Sequence, residues 1–326
     1  MTETSEVVPA EEVRRRAVVY WYSQTGQLRE VAHELTAPLV ERGWNVRWVA
    51  VNPRIEFPFP WPLRRFFGVF PAAVDPEALV ELVEPVGGFG SDPEQLVILA
   101  YQVWYLAPSL PIRSLLKAHP EAVRDRSVVS LVACRNMWYS AAIDVSSLLR
   151  SAGARHVGVI AATDTRPQAT TFVTTLRWLL TGRREPFLWF GRAGVGEDEL
   201  SRIGEVGRRL GESRRCPQDA APIVPTLAAA DLLAGTAFRR WGATVRSARR
   251  YGSVAYATSL AAFVAGLAIG IAVGLPLIGC AALVGGARFR RAVDSFVRRR
   301  ISSGGAGLDE QVTGDGLPSD PRVSSL

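Results

Sequence analysis

The chain has 326 residues, 48% of them hydrophobic and 21% charged, which suits one α/β domain of about 200 residues with an appendage. Its formal net charge of +7 is local: within 231–300 eleven arginines face only Asp231 and Asp294, whereas the rest carries 27 basic and 29 acidic residues. That distribution argues against a nucleic-acid surface and directs the basic segment to membrane headgroups. Cys134, Cys216 and Cys280 are scattered and form no CxxC pair. A disulfide framework and a zinc site are therefore not expected, and a reducing cytoplasm fits. Residues 1–15 are polar, lack the apolar core of a secretory signal, and read as a disordered lead-in.

The first strong element is the β-branched and aromatic run 17–22, read as a buried central strand. Residues 23–27 follow as a loop, and Leu28, Val31, Leu35 and Leu39 mark one face of a helix. A second strand is predicted over 46–51, a third over 96–100, a fourth over 128–133 and a fifth over 157–162. The stretch 57–70, with Phe57, Trp61, Phe66, Phe67 and Phe70 among prolines, is too apolar for a free linker and too proline-rich for a strand. Packing against a flat partner is its expected use. A helix opens at Pro111, another spans 169–180, a short strand is expected at 187–190, and a helix covers 197–210. Strands alternating with helices imply a doubly wound sheet of five parallel strands over residues 16–213, for which the flavodoxin-like order 2-1-3-4-5 is the expected arrangement.

Ser23, Gln24, Thr25, Gly26 and Gln27 lie between a strand and a helix, the setting of an anion cradle. Backbone N–H groups and the positive end of the helix dipole favour a phosphate there, Ser23 and Thr25 add hydroxyls, and Gly26 permits close approach. The loop holds no basic residue, and neither GxxxxGK[ST] nor an early GxGxxG is present. A flavin monophosphate, FMN, suits such neutral donors; an ordinary βα turn is the alternative. Gly191–Gly196 reads as a turn before a helix. Beyond the carboxyl ends of strands three and four come Tyr101, Gln102, Val103, Trp104 and Tyr105, then Arg135, Asn136 and Trp138. Aromatics there can flank an isoalloxazine ring, with Gln102 and Asn136 on its polar rim. Arg135 can stabilise an anionic ring or polarise a carbonyl, or make a structural salt bridge. His33, His119 and His156 lie away from these loops, and Asp164 is read as a turn cap.

The segments 22–28, 57–61, 100–105 and 135–138 together resemble the bacterial flavodoxin-like family of dialkylresorcinol condensing enzymes, over about residues 16–185. The resemblance implies a bacterial protein with a ketosynthase partner that supplies a 2,5-dialkylcyclohexane-1,3-dione; the apolar C-terminal tail adds the expectation of a place at the bacterial inner membrane with the catalytic domain in the cytoplasm. Condensation itself needs an activated cysteine with histidine partners, and Cys134 has no histidine near it in the sequence. FMN-dependent aromatisation of the dione fits better, with Arg135, Gln102 or Tyr105 holding the enolate. An NAD(P)H-dependent FMN or quinone reductase, a membrane-tethered electron carrier and a flavin-free scaffold are the competing readings. A homodimer with the flavin at its interface is also compatible.

Residues 214–229 read as a linker and 230–250 as a basic amphipathic helix. From Tyr251 to Ala287 there are 37 residues without a charge, bounded by arginines on both sides. That is more than one crossing of about 20 residues and less than two with a turn. A re-entrant hairpin turning at Gly274-Leu275-Pro276, with both flanks cytoplasmic, is favoured over a single span. Such an anchor would contact membrane lipid through 230–300 and suit a hydrophobic small-molecule substrate. Residues 301–326 are polar and read as disordered.

Overall fold

The computed structural model describes residues 15–90, 96–213 and 215–301. The expectations for the two ends, 1–14 and 302–326, lie outside the described residues. Parallel strands β1 (Arg16–Trp21), β2 (Asn45–Ala50), β3 (Leu96–Trp104), β5 (Ser127–Cys134) and β6 (Arg155–Thr163) lie in the order β2-β1-β3-β5-β6. Counted as parallel strands, this is 2-1-3-4-5, the flavodoxin-like doubly wound order. The two-residue β4 (Ala107–Pro108) only folds back on the end of β3.

Alternation along β1 divides the core. Ala17 and Val19 face helices α1 (Gln27–Glu41) and α6 (Glu197–Ser213). Val18 and Tyr20 face α3 (Leu110–Ala118) and α4 (Tyr139–Ser151). All four β1 residues are fully buried, as a central strand covered on both sides requires. The aromatic stretch contains a helix not foreseen in the sequence, α2 (Leu63–Ala73), which starts behind Pro62. Residues 187–190 form no sheet strand; Phe187 and Phe190 exchange backbone hydrogen bonds of 3.1 and 2.9 Å across a tight turn.

Two expectations for the C-terminal part are corrected. Residues 216–224 are no detached linker, because Ala161 N–H donates to Ala220 O at 3.0 Å and both Ala220 and Ala221 are buried. Helix α7 (Pro225–Ala248) then lies against α2 and α4. Nor does the chain turn at Gly274-Leu275-Pro276. Helix α8 (Ser253–Ile269) passes through a π-helical turn at Gly270–Gly274 into α9 (Leu275–Ile301), and the backbone leaves the helical region only at Gly286 (φ 51°, ψ −129°). A proline inside a helix clashes with the carbonyl four residues earlier, here that of Ala272. The widened π turn contains that residue and relieves the clash without breaking the helix. The segment is long and apolar enough to cross a membrane, and no residue of its most hydrophobic stretch is buried among the described residues.

Candidate functional site

The strand-to-helix loop has the character of an anion cradle. The first helical bond of α1 runs from Glu30 N–H to Gly26 O at 3.2 Å, so the preceding N–H groups have no intrahelical acceptor. Gly26 caps the helix in the left-handed region (φ 82°) and no side chain covers the end. A Cβ on Gly26 would meet nothing within 4 Å, which leaves the space before the helix open. Ser23 Oγ and Gln27 Nε2 are buried with no hydrogen-bond partner. Two orphaned donors and an uncapped helix end together fit a phosphate monoester.

The surroundings of this loop come from far along the chain. Gly194 (φ 94°) lies against the Gln27 carboxamide, so the late glycine motif closes over the loop as well as leading into α6. Arg184 donates to Ala193 O at 3.1 Å and to Glu30 Oε2 at 2.9 Å, and its Nη2 is buried without a partner. The loop itself carries no cation, yet folding brings this guanidinium against the first turn of α1. Nothing local in the sequence signals that pairing, because the partners are 154 residues apart.

Gln24 joins the loop to the aromatic stretch. Its Nε2 donates to Pro58 O (2.6 Å), its Oε1 accepts from Trp61 Nε1 (2.8 Å), and its N–H donates to Gln102 Oε1 (3.3 Å). A cavity of about 270 Å³ opens beside this junction. Of the residues expected at the site, Gln24, Thr25, Gln27, Gln102, Val103, Trp104, Tyr105 and Arg135 line it. Trp61, Phe66 and Val69 from the aromatic stretch, Trp178 and Leu179 from helix α5 (Gln168–Thr181), and Phe238 from α7 complete the walls. These additions lie on elements whose proximity only the tertiary fold creates.

A tight hairpin aims the loop after β3. Trp104 pairs with Ala107, and the two residues between, Tyr105 (φ 51°) and Leu106 (φ 63°), are both left-handed. Consecutive left-handed residues are the signature of a type I′ turn, and without glycine they store strain. That strain sits at the cavity rim. Tyr105 OH donates to Phe66 O at 2.7 Å, so its hydroxyl is already committed. Arg135 donates weakly to Gln168 O (3.5 Å) and lies 5.6 Å from the Phe172 ring centre.

Five expected residues do not line the cavity: Ser23 and Gly26 stay in the strand-to-helix loop, and Tyr101, Trp138 and Asn136 turn elsewhere. Tyr101 still lies within β3, and its fully buried ring enters the core. Trp138 precedes the first residue of α4 and turns beneath that helix, where it stacks on Tyr139 at 4.4 Å; it is core, not a cofactor platform. Asn136 is buried and donates to Gln168 Oε1 at 2.5 Å, tying its loop to α5.

Burial decides the local electrostatics. It pushes the Cys134 thiol up to about 12, with Asp231 adding to the effect, so the thiol stays protonated. It raises the Tyr105 hydroxyl well above the ordinary phenol range and lowers Arg135 from the usual guanidinium value. No carboxylate or histidine lines the cavity among the described residues. His156 lies within the core, between Ser130 Oγ (3.0 Å) and Ser146 Oγ (3.1 Å).

No family model matches the chain, and no curated protein matches it. Solved structures similar to it include an NAD(P)H:quinone oxidoreductase from Methanothermobacter marburgensis, at 12% identity and a TM-score of 0.32, covering 60% of this chain and 98% of that one. An archaeal flavodoxin aligns at 10% identity and a TM-score of 0.31, over 61% of this chain and 96% of that one. The flavodoxin of Megasphaera elsdenii aligns at 11% identity and a TM-score of 0.30, over 60% and 98%. At such low scores the fold assignment rests on the strand order itself: the chain has the flavodoxin-like doubly wound fold.

Proposed function

We propose that the protein is an FMN-dependent oxidoreductase that acts on an apolar ring ketone, aromatising a cyclohexane-1,3-dione-type intermediate to a resorcinol-like product. The observation that carries the cofactor is the uncapped N-terminus of α1 with the orphaned Ser23 Oγ and Gln27 Nε2 before it. Ser23, Thr25, Gln27 and the leading N–H groups of α1 would hold the phosphate, and Trp104, Gln102 and Arg135 would border the ring system. The flavin supplies a two-electron acceptor for the hydride removed in aromatisation.

The chain's own residues account for the remainder. A 1,3-dione enolises readily, so a cavity without a carboxylate or histidine suffices if the enolate is held. Arg135 is the cation available for that role. Because Gln102 Oε1 accepts from Gln24, its NH₂ is left as a donor. Tyr105, committed to Phe66 O, fixes the wall instead of binding the enolate. The protonated Cys134 thiol does not serve condensation chemistry. Trp61, Phe66, Trp178 and Phe238 exclude water and favour an apolar substrate, which suits a chain with a helix long and apolar enough to cross a membrane.

A second cleft supports a reductase as the other reading. It measures about 570 Å³, shares Trp61 and Val69 with the first, and is edged by Arg54, Arg64 and Arg65. Arginines next to a reaction cavity suit the phosphates of NAD(P)H. Anaerobic mixing separates the two: bleaching of the flavin by a 2,5-dialkylcyclohexane-1,3-dione supports aromatisation. Bleaching by NADPH alone would replace it with the reductase.

A further inference from the structure

The helix that precedes the long apolar segment contributes a wall of the cavity. Phe238 on α7 lines the cavity, and its ring centre lies 6.4 Å from Tyr105, 5.9 Å from Phe70 and 5.4 Å from Phe263 on α8. Phe263, the one fully buried side chain of the apolar helix, stacks on Phe70 at 3.6 Å with the rings 10° from parallel. Thus Phe238 touches both the cavity and the first helix of the long apolar segment.

What holds α7 indicates how such a boundary would open. Towards its start, Asp231 accepts from the N–H groups of Tyr139 (3.1 Å) and Ser140 (2.8 Å). Towards its end, Arg246 donates to Pro71 O (2.7 Å) and pairs with Asp75 (3.1 Å). Phe238 lies between these latches and meets its neighbours only through ring contacts. The opposite wall is fastened by the Trp61–Gln24 and Tyr105–Phe66 hydrogen bonds. Rotation of one apolar side chain breaks no hydrogen bond, whereas opening any fastened wall would break at least one.

We propose that Phe238 is an aromatic gate through which a bilayer-dissolved molecule reaches the cavity laterally, between α2 and α7–α8, and that it determines which apolar chains pass. What the molecule undergoes inside rests on the function proposed above; the route does not. The test mixes the full chain in phosphatidylcholine discs rapidly with a dimethoxy-methyl-benzoquinone, with and without a decyl tail, and follows the rate of tryptophan quenching. Phe238→Trp is expected to slow entry of the tailed probe about tenfold more than entry of the tail-free probe. Phe238→Leu, which retains an apolar side chain, is expected to change the ratio of the two entry rates by about threefold or more. Equal shifts for both probes, or an unchanged ratio in a folded variant, would overturn the gate. Because the signal is tryptophan quenching, a protein that holds no flavin would defeat the cofactor assignment while leaving the gate testable.

Discussion

Gly194 and the Gln27 side chain touch so closely that a Cβ on Gly194 would collide with the Gln27 carboxamide. The glycine has φ 94°, where side-chain-bearing residues are strained, so both sterics and backbone demand it. One residue thereby joins the late glycine motif to the loop between β1 and α1. Gly194→Ala is expected to push Gln27 out of place, to weaken FMN binding about tenfold and to cost about 1–2 kcal/mol of stability. FMN titration and a thermal melt of the variant check both effects.

Gly26→Val is expected to abolish FMN retention while the fold survives. Space is available for a side chain at Gly26. The cost is therefore the left-handed backbone of a β-branched residue, about 1–2 kcal/mol, plus obstruction of the cradle. Unchanged flavin occupancy in the purified variant would remove the phosphate assignment.

The periodic parts of the chain were legible before folding. Leu28, Val31, Leu35 and Leu39 announce α1, and all are buried. The parallel sheet followed from the alternation of strands with helices, and its order 2-1-3-4-5 was expected from the flavodoxin-like arrangement. The site was legible where it is contiguous in sequence, in 23–27 and 102–105, and at Arg135 after the fourth parallel strand. Trp138 looked like a cofactor platform because sequence alone does not tell which way a residue turns at a helix start. Arg184, Trp178 and Phe238 were missed because distant segments bring them to the site. The π turn before Pro276 replaced the expected hairpin, since a local widening of the helix costs less than breaking it.

Asp231 makes stability depend on pH. Burial raises its carboxyl to about 6 from 3.8, despite the Tyr139 and Ser140 N–H groups that favour the charged form. A folded-state value above the unfolded one means that the contribution is full below the unfolded value and is lost as pH rises through the folded one. Wild type is therefore expected to lose on the order of 1–3 kcal/mol relative to Asp231→Asn between pH ~4 and ~6. Paired denaturant titrations across that window measure the difference; a constant difference would contradict it. Asp231→Ala should be worse at every pH, because it leaves two buried N–H groups without an acceptor.

Cys134→Ser should retain the redox reaction and flavin content within about threefold, the effect of a small change in packing rather than of a lost nucleophile. With its thiol pushed up to about 12, Cys134 should also resist iodoacetamide at pH ~8. Loss of activity without loss of flavin would instead give the thiol a chemical role.

The most direct test of the central claim is the visible spectrum of the full-length protein purified in detergent, with chromatography of whatever heating releases. The account predicts the two absorption bands of an oxidised flavin and the release of FMN in equimolar amount. A colourless protein that also fails to take up added FMN would contradict it.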